Sequence, residues 1–146
     1  MRRLLVISLL ALAAAGCGGG GGDPLTKAEF TRQGNDVCQE LDRKVEDLGA
    51  PESLEAVEEF TGRAADIARN GRDELAKLEP PDDLQEDYDR LLGMLDEEIE
   101  DIERLGEAAA GGDQTKVQTI IAEGSAKSEA SDQLAQELGL DDCAQD

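Results

Sequence analysis

Four stretches of this 146-residue chain repeat an apolar residue every three or four positions, and glycine or proline separates each stretch from the next. That spacing puts an apolar stripe along one side of an α-helix. The stretches begin near residues 26, 52, 83 and 113, and we find no useful length of the alternating pattern of a strand. Because the connections are short, neighbouring helices should pack antiparallel. The sequence therefore predicts an all-α fold, a four-helix bundle in up-down-up-down order.

Residues typical of helix ends accompany these segments. Thr26 and Glu29 have the spacing of a capping box, and Asp83 is placed to cap the third segment. Gly139 follows the fourth segment, with Leu140 placed for the hydrophobic contact of a Schellman motif. The fourth segment has the weakest pattern, because its middle, GSAKSEASDQ, contains few large apolar residues.

Three glycines, Gly34, Gly71 and Gly124, fall on the predicted buried stripes. Each costs about 1 kcal/mol relative to alanine inside a helix. Two interpretations remain open: the helices approach closely at these positions, or the fold merely tolerates glycine there.

Aromatic residues make up only 2% of the chain and are Phe30, Phe60 and Tyr88. The core must therefore come from Leu, Ile, Val and Ala. Pockets for small molecules usually have aromatic walls, so we expect neither a large ligand pocket nor a cofactor.

The formal net charge is −21. Nucleic-acid binding needs Lys and Arg to neutralise phosphates, so this charge argues against a nucleic-acid partner. It also argues against a domain that lies flat on anionic lipid. Two interpretations of the acidity stay open, a solvated surface that keeps the helices soluble and a docking face for a cationic partner.

Histidine is absent from the sequence. Its absence excludes Ser-His-Asp and Cys-His catalysis, His-ligated zinc and the Glu-x-x-His helices of di-iron bundles. Serines 125, 128 and 131 recur every three residues without a histidine or a well-placed lysine to activate them. We therefore expect a protein that is not an enzyme.

The densest acidic run is residues 96–103, DEEIEDIE. Glu97 and Asp101 lie four residues apart, so the two carboxylates could share a cation. However, Ile99 and Ile102 mark the buried side of this helix, which leaves most of the carboxylates facing solvent. A charge run of this kind is usually a solvated face, and no metal site is expected.

The N-terminus has the pattern of a secretory signal peptide, with Arg2 and Arg3 before an apolar stretch at residues 4–15. That stretch is shorter than the roughly 20 residues needed to span a bilayer. The residues around the arginines favour the general secretory route over twin-arginine export.

Small residues, Ala13 to Gly16, then precede Cys17, and this junction resembles the lipobox of bacterial lipoproteins. The resemblance implies cleavage between Gly16 and Cys17 and a diacylglyceryl group on the Cys17 sulfur. The sequence departs from the usual box at Ala14, where Leu is most common. The alternative is ordinary Ala-x-Ala-type cleavage, which would release a soluble protein with a spare thiol.

These features predict three regions. Residues 1–16 form the signal peptide, residues 17–24 hold the lipidated cysteine and a flexible glycine tether of roughly 12 Å, and residues 25–146 form the helical domain. We expect the protein on the outer face of the cell membrane, anchored through the lipid on Cys17.

The chain has three cysteines, and an odd number in an exported protein needs an explanation. If Cys17 carries lipid, Cys38 and Cys143 are left to pair. Redox cysteines usually lie close together as Cys-x-x-Cys, whereas these two lie far apart, so a structural disulfide is the favoured interpretation. Cys38 lies about 18 Å along the first helix, so the C-terminal tail would have to fold back to reach it.

Four motifs, FTRQGNDVC, LEPPDDLQEDYDRLL, GGDQTK and LGLDDC, resemble those of small helical lipoproteins of the actinobacterial, high-GC Gram-positive type. The resemblance covers nearly the whole exported chain and implies no particular activity. We expect a non-enzymatic, lipid-anchored envelope protein that acts by protein contacts or as an envelope component. The alternative is an acidic binding module that captures a cationic ligand or basic peptide.

Overall fold

The computed structural model describes residues 23–144 of the chain. This part contains four α-helices and no strand, which confirms the all-α prediction. The helices are α1 (Lys27–Glu46), α2 (Leu54–Leu75), α3 (Gln85–Ala110) and α4 (Gln114–Leu138), and a 3₁₀ turn follows at Asp141–Cys143.

The helices pack in chain order, α1 on α2, α2 on α3 and α3 on α4. Pairs of contacting residues show that each neighbour runs antiparallel to the last. The Arg72 guanidinium on α2 binds Asp96 on α3, and Arg69, one turn earlier on α2, binds Glu103 further along α3. The same reversal relates α3 to α4, because Asp101 binds Lys127 while Glu98, earlier on α3, accepts from Ser131, further along α4. It also relates α1 to α2, because the Leu25 N–H before α1 donates to the Glu79 carbonyl after α2, while Leu41 late in α1 lies against Gly71 within α2. Four helices therefore pack sequentially, in the up-down-up-down order that the short connections predict.

The N-terminal ends of α1 and α4 match the capping signals in the sequence. The Thr26 backbone N–H donates to Glu29 Oε2 at 3.0 Å, and the Glu29 N–H donates to Thr26 Oγ1 at 3.3 Å, which completes the capping box. At α4, the Asp113 side chain accepts from the Lys116 N–H at 3.0 Å. Both pairs satisfy backbone donors that a helix start leaves without partners.

The start of α3 differs from the prediction. Asp83 is not the N-cap; Leu84 occupies that position and makes no side-chain cap. The Leu84 N–H donates to the Pro81 carbonyl at 2.9 Å, so a turn is already formed before the helix begins. Leu84 is half-buried against the core, which places an apolar residue where the sequence pattern favoured a polar cap.

The end of α4 is a Schellman motif, as predicted. Gly139 has φ +82°, a left-handed conformation that glycine adopts without steric cost. The Leu140 N–H donates to the Ala135 carbonyl at 2.8 Å and the Gly139 N–H donates to Gln136 at 3.0 Å. The Leu140 side chain is fully buried, so the chain turns at Gly139 and enters the core.

The core lies at the end of the bundle where α2 meets α3 and where α4 ends. The rings of Phe30 and Tyr88 meet edge to face with centroids 4.9 Å apart, a favourable arrangement for two aromatic rings. The Tyr88 hydroxyl donates to the Leu75 carbonyl at 2.7 Å, and burial raises the pKa of this phenol. The largest fully buried side chains are Tyr88, Phe30, Leu75, Leu91, Leu138 and Leu140.

The three stripe glycines do not behave alike. A Cβ at Gly34 would overlap the Leu140 side chain, and one at Gly71 would lie 2.9 Å from Leu41 Cδ1. A Cβ at Gly124 would meet nothing within 4 Å. Close approach therefore explains Gly34 and Gly71 but not Gly124. A third close approach, of Gly106 to Thr61 between α3 and α2, has no signal in the apolar pattern.

Candidate functional site

The C-terminal strap, which we define as residues 139–144, folds back along α1. Cys143 forms a disulfide with Cys38, with the two Cα atoms 5.0 Å apart. Gly139 lies against Thr31 and Leu140 against Gly34, so the strap climbs α1 from its first turns towards Cys38. This is the fold-back that pairing the two cysteines demands.

Asn35 secures the strap at two points. Its Nδ2 donates to the Gly139 carbonyl at 3.1 Å, and its Oδ1 accepts from the Asp142 N–H at 3.0 Å. Gln39, one turn later, donates to the Asp142 carboxylate at 2.8 Å. The strap packs closely against α1 and against the end of α4. The sequence analysis missed Asn35, because a half-buried asparagine on a helix looks like any other polar position.

Beside the disulfide lies a partly open cavity of about 130 Å³, lined by all four helices and the strap. We call it the central cavity. Its apolar wall consists of Ala68 and the side chains of Leu41, Leu75, Leu91, Leu95 and Ile99. Its polar lining includes carboxylates from three helices, Asp42 of α1, Glu98 of α3 and Asp132 of α4.

Two of these carboxyl groups have altered pKa values. Burial raises the pKa of Glu98 above its ordinary value, and the nearby charge of Asp132 acts in the same direction. The Ser131 hydroxyl donates to the Glu98 carboxylate and partly offsets the effect. Burial raises the pKa of Asp42 as well, with Glu46 and Asp142 adding repulsion. The cavity therefore holds acidic groups that the surrounding protein disfavours as anions.

The cavity also contains one basic side chain, Arg72, whose charge is already matched. Arg72 Nε lies 2.7 Å from Asp96 Oδ1, and Nη2 donates to Asp96 Oδ2 at 2.7 Å. Only the Nη2 contact has the geometry of a hydrogen bond, so among the described residues the buried Nε makes a close ionic contact with Asp96 without a hydrogen bond.

Next to the cavity, α3 and α4 share an ion pair in which the Asp101 carboxylate is buried and the Lys127 ammonium is partly exposed. Asp101 is only 7% exposed, and its carboxylate accepts from Lys127 Nζ at 2.8 Å and from Arg104 Nη1 at 2.6 Å. The hydrogen bond from Lys127 is the main cause that lowers the pKa of Asp101. Lys127 Nζ also lies 3.6 Å from Glu97.

These contacts refine the expectation for the acidic run. Glu97 and Asp101 do share a cation, and the cation is the ammonium of Lys127. Asp96, Glu97, Glu100 and Glu103 are exposed, as expected, whereas Glu98 is half-buried and Asp101 is buried. The sequence placed the buried side correctly at Ile99 but did not show that α4 covers Asp101.

A second hollow lies on the surface between α1 and α2, with a volume of about 480 Å³. We call it the α1–α2 groove. Its floor is apolar, with Val37, Leu41 and Ile67. Its rim carries Asp36, Glu40 and Glu74 and one basic residue, Lys44, which pairs with Glu40 at 3.4 Å.

The other sequence-predicted positions divide into two sets. Gly16 and Cys17, together with the signal peptide and the glycines of the tether, lie outside the described residues. Of the three spaced serines, Ser131 is buried, whereas Ser125 is exposed and donates to the Ile121 carbonyl at 3.0 Å. Over residues 23–144 there is no group of three or more side chains placed to hold a metal ion.

Within the same described range, no helix has the length and apolar character needed to cross a bilayer. No family model matches the chain, and no curated protein and no solved structure is significantly similar to it.

Proposed function

We propose that this protein is a non-enzymatic, lipid-anchored component of the bacterial cell envelope that acts through protein contacts. Its helical domain would stand on the outer face of the membrane, tethered through a lipid on Cys17. In this proposal it is a lipoprotein of the actinobacterial type that its motifs resemble.

The pairing of the cysteines is the observation that carries this proposal. The chain has three cysteines, and the disulfide between Cys38 and Cys143 uses two of them. Disulfides persist in exported proteins and are rare in a reducing cytosol. The remaining thiol is Cys17, which lies directly after an apolar stretch and small residues. A lipid on Cys17 accounts for both the odd cysteine and its position.

The charge of the domain fits the same arrangement. The net charge of −21 repels an anionic membrane surface. Five glycines at residues 18–22 would give the domain slack to stand off from that surface.

Mass spectrometry of the protein isolated from its native membrane tests the anchor directly. We expect the mature chain to begin at Cys17 and to carry the added mass of a diacylglyceryl group on that residue. Metabolic labelling with an alkyne-bearing fatty acid should mark the protein, and Cys17→Ala should abolish the label.

Cys143→Ala provides the matched control, because it also removes a cysteine but should keep the label. A mature chain that begins at another residue, or an unmodified Cys17 thiol, would contradict the proposal and favour release as a soluble protein.

A second candidate function, capture of a cationic peptide, has one observation in its favour. The α1–α2 groove combines an apolar floor with a carboxylate rim. Its rim carboxylates pair with exposed cations of the chain itself, such as Asp36 with Arg32 at 3.5 Å. Exposed pairs of this kind contribute little, about 0–1 kcal/mol, so a basic amphipathic peptide could replace them.

Binding of a Lys-rich amphipathic peptide at low and high salt tests this second function. We expect binding that weakens as salt rises, and we expect Glu40→Gln with Glu74→Gln to weaken it further. Replacing Glu86 and Asp87, exposed acidic residues on α3, by Gln and Asn removes the same charge elsewhere. Equal loss in both double variants would point to general attraction and not to the groove.

A further inference from the structure

We infer that the central cavity is a binding site for a small organic cation with a short apolar body, such as a primary alkylammonium ion. This inference goes beyond the proposed anchor and does not depend on it. It also differs from the peptide groove, since the cavity lies between all four helices and the groove lies on the outer surface of α1 and α2.

The size of the cavity sets the size of the ligand. Its volume of about 130 Å³ approaches the roughly 150 Å³ that holds a benzene ring in an apolar protein core. A molecule of about five or six heavy atoms fits this space, whereas a peptide does not.

The walls of the cavity suit an apolar body. Leu91, Leu95 and Ile99 of α3 face Leu41 of α1 and Leu75 of α2 across the cavity. Burying the methylene groups of a ligand against such a surface is favourable. Bare metal ions gain nothing from these walls and would have to give up their water.

The charge of the lining selects a cation. Asp42 of α1 and Glu98 of α3 supply carboxyl groups to the lining, and burial raises the pKa of both. The one basic lining residue, Arg72, is matched by Asp96 outside the cavity lining. An anion would meet net repulsion, and a neutral ligand would leave the carboxylates as they are. An ammonium group would supply a positive charge where the protein holds carboxylates in a partly desolvated setting.

Glu98 is the residue we assign to the ammonium group. It lies midway along α3, it lines the cavity, and Ser131 of α4 orients its carboxylate by donating a hydrogen bond. The ion pair of Asp101 with Lys127 and Arg104 lies one turn further along α3 and is complete without a ligand. A charge-assisted hydrogen bond from an ammonium group would add a second donor to Glu98.

Proton linkage gives the site a distinctive pH dependence. The charged groups that face Glu98 are Asp42 of α1, Arg72 of α2, Asp101 of α3, and Asp132 and Lys127 of α4. Because the surrounding protein raises the pKa of Glu98, a bound cation must favour its ionised form and release a proton. Affinity should therefore rise with pH through the raised pKa and level off above it.

The test uses the mature chain, residues 17–146 with Cys17→Ser, and titrates it with n-butylammonium while following the methyl NMR signals of leucine and isoleucine. We expect shifts confined to methyl groups that line the cavity, with a dissociation constant on the order of 1 mM. The neutral isostere of n-butylammonium, n-butanol, should bind about tenfold more weakly, because it makes no charge-assisted hydrogen bond. Sodium chloride at the same concentration should leave the cavity signals unchanged.

Four variants separate the effect of charge from the effect of cavity volume. Glu98→Gln should weaken n-butylammonium binding about tenfold and remove its pH dependence, whereas Glu100→Gln, an equal charge change on the exposed side of α3, should alter neither. Ala68→Leu fills the cavity and should abolish binding of both probes. Leu95→Phe serves the same purpose independently, and circular dichroism checks that each variant remains helical.

The inference is overturned if n-butylammonium shifts no cavity methyl group. It is also overturned if Glu98→Gln and Glu100→Gln weaken binding equally, or if cavity-filling variants bind as well as the parent chain. None of these results would bear on the lipid anchor, which mass spectrometry tests separately.

Discussion

The Gly139 carbonyl at the end of α4 accepts a hydrogen bond of 3.1 Å from the side chain of Asn35 on α1. The two residues are 104 positions apart, and the contact ties the last turn of the bundle to the first helix. The same side chain accepts from the Asp142 N–H, so Asn35 brackets the strap between Gly139 and the disulfide. A polar clamp therefore positions the strap that closes the bundle.

Asn35→Ala should lower the free energy of unfolding by about 1–3 kcal/mol, because it leaves partly buried backbone groups of the strap without partners. Amide hydrogen exchange at Asp142 should accelerate as well. Gln39→Ala is the matched control: it removes an exposed contact to the same residue, and we expect a change below about 0.5 kcal/mol. Similar effects of the two substitutions would contradict a specific role for Asn35.

Gly34→Ala should destabilise the protein even though alanine favours a helix more than glycine does. The added Cβ would overlap Leu140, a fully buried residue whose backbone is held by the Schellman motif. Overpacking of this kind costs about 1–3 kcal/mol. Gly124→Ala, which meets open space, should instead stabilise by up to about 1 kcal/mol. Urea unfolding of both variants measures their free energies of unfolding. Equal values would show that the strap shifts to accommodate the added Cβ at little cost.

Removing the disulfide through Cys38→Ser with Cys143→Ser should lower the free energy of unfolding by about 4 kcal/mol, since the bond closes a long loop in the unfolded chain. A dithiol reductant should destabilise the parent chain, in a Cys17→Ser background, by a similar amount. The double variant should not respond to reductant. Parent and variant chains of equal stability would mean that the strap is held without the bond.

Asp101→Asn should lower the free energy of unfolding at neutral pH by about 1–2 kcal/mol, because Lys127 and Arg104 lose a buried anionic acceptor. The folded protein lowers the pKa of Asp101, so its contribution is present above the ordinary carboxyl pKa and disappears as pH falls through the lowered value. The stability difference between the two proteins should therefore shrink in acid. Glu97→Gln, which removes an exposed carboxylate from the same lysine, should have a small effect at every pH.

Glu98→Gln should have the opposite effect to Asp101→Asn and raise the free energy of unfolding at neutral pH. Burial raises the pKa of Glu98, so the folded state holds a proton that the unfolded chain releases. The stabilising contribution of the neutral form is complete below the ordinary pKa and is lost as pH rises to the raised value. Thermal unfolding from pH 4 to pH 8 should show the two stability curves diverging with pH. Parallel curves would contradict the raised pKa.

The sequence was most informative about local structure. The capping box at Thr26, the helix start at Asp113 and the Schellman turn at Gly139 all depend on residues within one turn of each other, so spacing alone predicts them. The error at Asp83 has a related cause. Its capping signal competed with a turn that Pro81 had already begun, and the helix started at the next position with an apolar cap.

The pairing of Cys38 with Cys143 could be predicted from the number of cysteines alone. If Cys17 carries the lipid, these two are the cysteines that remain. The central cavity could not be predicted, since it depends on how the four helices and the strap pack against one another. The stripe residues Leu91, Leu95 and Ile99 look the same in sequence whether they fill a core or line a space within it.

The sequence by itself determined the helices, their order, the paired cysteines and the apolar stripe of each helix, because these follow from local spacing and from composition. Only the tertiary structure decided which polar groups are buried: Asp101 is covered by α4, Glu98 lines the cavity and Asn35 holds the strap. The physical reason is that burial of a polar group depends on the neighbouring helix. Its hydrogen-bond partner comes from a segment far along the chain, which no periodicity within the helix can reveal.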